Sequence, residues 1–411
     1  MLYYIRIKKK MEQKKKEKKL ILDLVASVLF ASPFDGDFEN IDVKYIVIKL
    51  KEQKLENIAY YALLNLNISN ELSSILEKMY LNRLQITLNQ EREYQNIIQV
   101  FENNKIDYVP LKGMNVKKYY PHEDMRLMGD IDILIHKEKR LYVRKTLIKN
   151  DYNFDKSSAS CGHHEIYNKN RYGHFEIHYN LFDDGTQKDD YFDKNVWLET
   201  NNHEMSKEFE VAFLLSHYYK HFYHGGASFK SMLDIALILN KYEIDSAKLK
   251  DVLDKTDYYV FYCNVVDIIN YCFKTKIKNY ESLLNESEIE EIVDYIFACG
   301  DFGFGEENDY ERNAIMNQLG SKKVTFFSKL GYIIKRVCIP YRVFKNINKI
   351  IKYVPILLPF GWIVRFFKYL FRHNHQEIKH RLDSIGNVSE KDIEGNKTIN
   401  KFLNIRKKEE R

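Results

Sequence analysis

The stretch RLMGDIDILIH, residues 126–136, sets two aspartates, Asp130 and Asp132, inside a run that otherwise reads as a strand. Aspartate is depleted in strands, whereas Ile131, Ile133, Leu134 and Ile135 favour them. A local rule broken inside a consistent segment marks a functional position. In a strand, residues i and i+2 share a face about 6–7 Å apart along the backbone. The spacing therefore sets two carboxylates side by side and sends Ile131 and Ile133 to the core. Like charges that close repel unless a cation or a proton lies between them. Hard divalent cations bind such oxygen pairs together with phosphate oxygens.

Working outward, DYVPLKG (107–113) reads as a strand ending in a turn at Lys112-Gly113, and MNVKKYY (114–120) as one or two helical turns. A glycine turn before a helix exposes N–H groups to phosphate. Lys112 adds a point charge there and Arg126 a forked one. EKRLYVRKTLIKN (138–150) is an amphipathic helix, and HHEIYNKN (163–170) and HFEIHYNLF (174–182) alternate around NRYG as a hairpin. Glu176, two residues before His178, is the expected third carboxylate of a metal site.

The flanks are helical. Residues 19–31, 42–66 and 69–103 carry apolar residues at helical spacing, with Ser69 or Asn70 as a cap. Helices are expected again at 206–224, 228–242, 246–254, 257–273, 286–299 and 307–318, and the basic, aromatic stretch 321–372 is interrupted by Pro340, Pro355 and Pro359. The expected fold class is α+β: a small mixed-sheet core flanked by N-terminal and C-terminal helical regions. The division reads as a disordered basic arm (1–20), a helical region (21–104), the α/β core (105–200), a helical domain (201–320), a basic aromatic helical segment (321–380) and a ragged polar tail (381–411). Met11 offers a second start.

The 411 residues are 45% apolar and 30% charged, with 16 Gly and 6 Pro, an ordinary globular composition. The net charge of +6 is uneven: residues 1–20 carry +7, 321–380 carry +12 and 381–411 carry +2, leaving −15 on 21–320. A uniformly basic nucleic-acid binder does not look like this, and nucleic acid is not expected as a partner. Five scattered cysteines without C-x-x-C argue against a disulfide framework or a zinc ribbon, and point to a reducing cytoplasm. VPILLPFGWIV (354–364) is too short to span a bilayer. With the cations and phenylalanines around it, 321–372 could instead touch an anionic membrane at the inner face.

Taken together, VPLKGMNVKKYYPHEDMRLMGDIDILIH, HHEIYNKNRYGHFEIHYNLF and SHYYKHF…MLDIAL resemble nucleotidyltransferases of the DNA polymerase β-like superfamily. The shared pattern is K-G, a Tyr-Pro step, an Arg, D-x-D-x-L, paired His and an E-x-H strand, over about 107–242. The wider superfamily carries Gly-Ser at the phosphate turn; Lys112-Gly113-Met114 stands there in this chain. The resemblance implies Asp130, Asp132 and Glu176 as catalytic metal ligands for Mg²⁺ or Mn²⁺. It implies Lys112, Gly113 and Arg126 on a nucleoside triphosphate, ATP being expected. The reaction is attack by a small-molecule, glycan or protein hydroxyl on the α-phosphorus. His164, His178, His217 and His221 are expected in the acceptor pocket.

Two competing readings accompany it. A degenerate nucleotidyltransferase fold could serve as a binding or membrane-surface accessory. A zinc hydrolase could use His217 and His221, at i and i+4 on a helix, with Asp234 or Glu176, although Tyr218 stands where H-E-x-x-H has glutamate. His163 and His164, adjacent in a strand, would point to opposite faces and not share a metal. Asp234 is expected to pair with a histidine or to hold two helices in register.

Overall fold

The computed structural model describes residues 2–405 apart from 161, 183–186, 304, 306–308, 321–322, 342–343, 346–347 and 373–374. Cys161 lies outside the described residues. Cys263, Cys272 and Cys299 are buried thiols, and Cys338 is half-buried.

The chain opens with α1 (Leu2–Leu29), α2 (Val43–Gln53), α3 (Glu56–Asn65) and α4 (Glu71–Asn103). The arm expected to be disordered is thus the first half of a helix. Its Lys, Glu and Gln residues are good helix formers, and the buried Leu20, Ile21, Leu24 and Val25 anchor the continuation. Lys15 and Lys18 pair with Glu290 and Asp294 at 2.6 and 2.7 Å, so the basic arm meets the acidic middle of the chain. The stretch 42–66, expected as one helix, breaks at Lys54, whose backbone is left-handed (φ +57°). Asn70 caps α4 in a reciprocal box with Ser73.

The sheet runs β1 (Tyr108–Pro110), β2 (Ile131–Ile135), β3 (Asn153–Phe154), β4 (His164–Lys169) and β5 (Gly173–His178), in the spatial order β1-β2-β5-β4-β3. β2 and β5 are parallel, and the other pairings are antiparallel. Beside them lie α5 (Lys112–Val116) and α6 (Arg140–Lys149), and β6 (Thr200–Asn201) pairs with β7 (Glu204–Met205). One face of the sheet packs Ile131, Ile133 and Ile177 against Ile97 and Phe101 of α4 and Leu147 of α6. The opposite face carries Asp132, Glu176 and His178 towards the helices that follow. β2 is buried along its whole length, as a central strand with a parallel neighbour should be.

Those helices are α7 (Gln187–Asn195), α8 (Lys207–Tyr223), α9 (Phe229–Lys241), α10 (Ser246–Lys255), α11 (Tyr259–Phe273), α12 (Glu286–Cys299) and α13 (Tyr310–Leu319). The basic segment holds α14 (Phe326–Val337), α15 (Lys349–Tyr353) and α16 (Leu358–Arg372), followed by α17 (His375–Gly386), α18 (Glu390–Gly395) and α19 (Lys397–Phe402). Pro359 does not interrupt α16: it sits in the first turn, where a missing N–H costs nothing. The tail expected to be ragged instead folds back. Ile399, Phe402 and Leu403 enter the same buried cluster as Leu24 of α1, Leu134 of β2 and Phe213 of α8. Residues 406–411 lie outside the described residues.

Candidate functional site

The site is built by register. In the parallel pair β2–β5, Asp132 lies opposite Glu176 and Leu134 opposite His178. In the antiparallel pair β4–β5, His164 lies opposite His178. Opposed residues share a face, so Asp132, Glu176, His178 and His164 converge although 46 residues separate the first from the last in sequence. Asp132 is buried, and its Oδ1 accepts from Lys112 Nζ at 2.8 Å and lies 2.9 Å from His178 Nε2. The same His178 nitrogen is 3.5 Å from Glu176 Oε2, and His164 Nε2 is 3.8 Å from Glu176 Oε1.

Burial alone would raise the Asp132 carboxyl, but the Lys112 ammonium and His178 more than offset it and hold it far below the usual range. His178 moves the other way. Burial disfavours its charge, yet Asp132 and Glu176 raise it above an ordinary histidine. Burial also opposes the Glu176 carboxylate, which hydrogen bonding to His178 nevertheless brings below its usual value. His178 Nδ1 is buried and has no hydrogen-bond partner among the described residues.

Several expectations change here. β2 opens at Ile131, so Asp130 stands on the bend after Gly129 rather than in the strand. Its carboxylate is half exposed and 3.6 Å from His174 Nε2. Asp130 lines the same cleft, and its carboxyl is raised by burial and by the charges of Glu176 and Asp132. The donor atoms within 4.8 Å of one another are those of Asp132, Glu176 and His178. His163 precedes β4 and is therefore not bound by strand alternation: its Nε2 lies 2.8 Å from His164 Nδ1. His163, His164 and His178 form a second group of donors within 4.8 Å.

Arg126 is committed elsewhere. Its Nε and Nη2 both bond Asp234 at 2.7 Å, and Nη1 donates to the Leu127 carbonyl at 2.5 Å. Asp234 pairs with this arginine and with Tyr120 Oη at 2.8 Å, not with a histidine. The fork ties the segment before β2 to α9. Lys112 has a left-handed backbone (φ +46°). At Gly113 a Cβ would stand 2.7 Å from Met128 Cγ, so glycine permits the close approach of the two loops. The helix after this turn is only α5, too short to give the turn much dipole.

His217 and His221 face each other on α8 with Nε2 atoms 2.9 Å apart. Burial, with the Lys112 charge adding to it, pushes both down, His221 to about 3. Both are therefore neutral, and among the described residues no third His, Cys or carboxylate joins them in a ligand group. The two carboxylates considered for a zinc site with this pair are engaged elsewhere, Asp234 by Arg126 and Tyr120 and Glu176 by His178.

Lys112, Arg126, Asp130, Asp132, His163, Glu176, His178, His217, His221 and Asp234 line one cleft of about 720 Å³, and His164 stands behind His163 and His178 rather than among its lining residues. Its wall also holds cations that sequence reasoning passed over: Lys51, Lys54, Arg83, Lys220 and Lys230. Lys220 was within reach, since it shares a helical face with His217 and His221. Lys51, Lys54 and Arg83 come from α2, its end and α4, and nothing local signals that they reach the sheet.

A family described as uncharacterised nucleotidyltransferase matches residues 39–274, more than half of the chain. The chain belongs to this family. The nucleotidyltransferase match begins before α2 and ends just past α11, so it contains the whole sheet and every cleft residue named above except Asp301, the partner of Lys230 at 3.0 Å. Neither the curated proteins nor the solved structures return a match.

Proposed function

We propose that the cleft transfers a nucleoside monophosphate from a nucleoside triphosphate, ATP being the first choice, to a hydroxyl of a small-molecule, glycan or protein acceptor, with Mg²⁺ or Mn²⁺. The observation that carries this reading is the pairing of Asp132 with Glu176 across parallel neighbours, with Lys112 on the Asp132 carboxylate in a cleft that also holds Lys51, Lys54, Arg83, Lys220 and Lys230. The donors fit a divalent cation. Two carboxylates suit Mg²⁺ or Mn²⁺, one imidazole is tolerated better by Mn²⁺, and Lys112 already stands as counter-ion to Asp132.

When bound, the cation polarises the attacking oxygen and neutralises charge on the departing pyrophosphate. The chain's own residues do the rest. Asp132, Glu176 and His178 would hold the cation, and Asp130 lines the same cleft. Lys112 hands its charge from Asp132 to the phosphates, and Gly113 keeps the turn close. The acceptor hydroxyl gives up its proton to solvent, and its oxygen bonds to the α-phosphorus as the bond from that phosphorus to the bridging oxygen breaks and pyrophosphate leaves. The neutral His217–His221 pair offers hydrogen bonds to the acceptor. Arg126 positions the Asp132 strand and does not touch phosphate.

Calorimetric titration with each triphosphate, with and without Mg²⁺, tests the reading on wild type and Glu176→Gln. Glu176 is the better target, because Asp132 also satisfies Lys112. Metal-dependent binding of a triphosphate is expected, weakened by about tenfold or more in the variant, in line with the loss of a metal carboxylate. Equal affinity in both proteins, or no binding of any triphosphate, overturns it.

A further inference from the structure

The segment 321–380 carries thirteen Lys/Arg and one Glu, yet its helices do not simply present charge to water. Along α16, Phe360, Ile363, Val364, Phe367, Leu370 and Phe371 recur at i, i+3, i+4 and i+7, and all are exposed. On α14, which packs beside α16, Phe326, Phe327, Leu330 and Ile334 are exposed in the same way. Tyr353 and Ile356 extend the surface between the helices. Phe327, Ile356 and Phe371 are exposed to 80%, 82% and 87%. Isolated exposed apolar residues need no explanation, whereas a continuous surface of this kind marks an interaction site.

The inner side of the same helices is fixed. Gly361 seats α16 against Phe344 and Ile351, and Trp362 Nε1 donates to the Ile339 carbonyl at 2.9 Å. Tyr332 of α14 is buried in a cluster with Ile315, Leu319 and Ile385. The outward apolar face is therefore set by packing.

We propose that α14 to α16 form a docking surface for an anionic lipid bilayer. Lys335, Arg365 and Lys368 are exposed, carry no ion pair among the described residues, and flank the apolar face. An apolar face rich in phenylalanine with lysine and arginine at its margin is the composition of a helix lying in the membrane interface. Arg336 of α14 is paired with Glu311, but the sequence of the segment holds one acid, Glu377, and for Lys335, Arg365 and Lys368 anionic headgroups supply the counter-charge. No helix among the described residues is long and apolar enough to cross a membrane, so α16 lies in the plane of the interface. The surface lies beyond residue 274, outside the span matched by the family.

Sedimentation of the full chain with phosphatidylcholine vesicles, with and without phosphatidylglycerol, tests this at physiological salt. Wild type should sediment with the anionic vesicles. Phe360→Ser/Phe367→Ser/Phe371→Ser and Arg365→Glu/Lys368→Glu should each bind about tenfold more weakly or worse. Their thermal melts should match wild type, because these side chains are exposed. Absence of sedimentation with anionic vesicles overturns the proposal. So does unchanged binding in both variants. Self-association of wild type that the phenylalanine variant abolishes, without vesicle binding, would reassign the face to contact between copies of the chain.

Discussion

At the scale of single residues, what distinguishes this cleft is how few of its charges are left to themselves. Asp132 is shared by Lys112 and His178, and Asp234 by Arg126 and Tyr120. The second pair yields a sharp expectation. Arg126→Lys keeps the charge but cannot make the two-pronged bond, so one charge-assisted hydrogen bond is lost, worth about 2 kcal/mol. Urea unfolding should show that loss; an unchanged midpoint would mean that the fork does not hold the loop to α9. E-x-H was legible in the sequence because both residues lie in one strand, where alternation alone fixes that they share a face. The replacement of Asp130 by His178 as the third close donor was not, because it depends on where β2 starts and on a parallel register between strands some forty residues apart. His163 was misread for a related reason: strand geometry was extended one residue too far.

At the scale of elements, the face of the sheet turned away from the cleft carries its own charge cluster. Glu165 is buried between β4 and α6. It accepts from Arg140 Nε at 2.5 Å and from Arg144, with Tyr167 Oη at 2.6 Å. Burial would raise this carboxyl, but Arg144, Tyr167 and Arg140 bring it below its usual value. A depressed carboxylate stabilises the fold above its unfolded value of about 4.3 and ceases to as pH falls through the folded one. Glu165→Gln should therefore cost about 3 kcal/mol near pH 7 by stranding two arginines, and the gap to wild type should close towards about pH 3. A gap independent of pH would place the stabilisation in packing instead. Helix positions were legible wherever an apolar stripe was long, as in α4, α8 and α9. The arm at 2–20 was not, since its own composition is that of a solvated lysine run and its helicity is imposed by the buried stripe that follows. Neither was α19, whose three buried residues span four positions, too few to show a period.

At the scale of the whole molecule, one buried cluster runs from α1 through β2 to α12 and closes with α19. Phe402 is fully buried, its ring 4.7 Å from Phe222 and 5.0 Å from Phe261. Phe402→Ala should cost about 3–5 kcal/mol, read by the same unfolding assay. A cost under about 1 kcal/mol would mean that the tail is dispensable to the core. The contacts of α1 bear on the chain's synthesis as well. Phe30, just past its end, stacks on Phe273 at 5.7 Å and its Asp23 meets Lys274 at 3.2 Å, while Lys15 waits for Glu290. A ribosome adds about 5–20 residues per second, so that flank of the first helix stays uncovered for on the order of ten to fifty seconds. A helix made so long before its partners is thus among the last to be finished, and it gives a nascent-chain chaperone that much time to hold it.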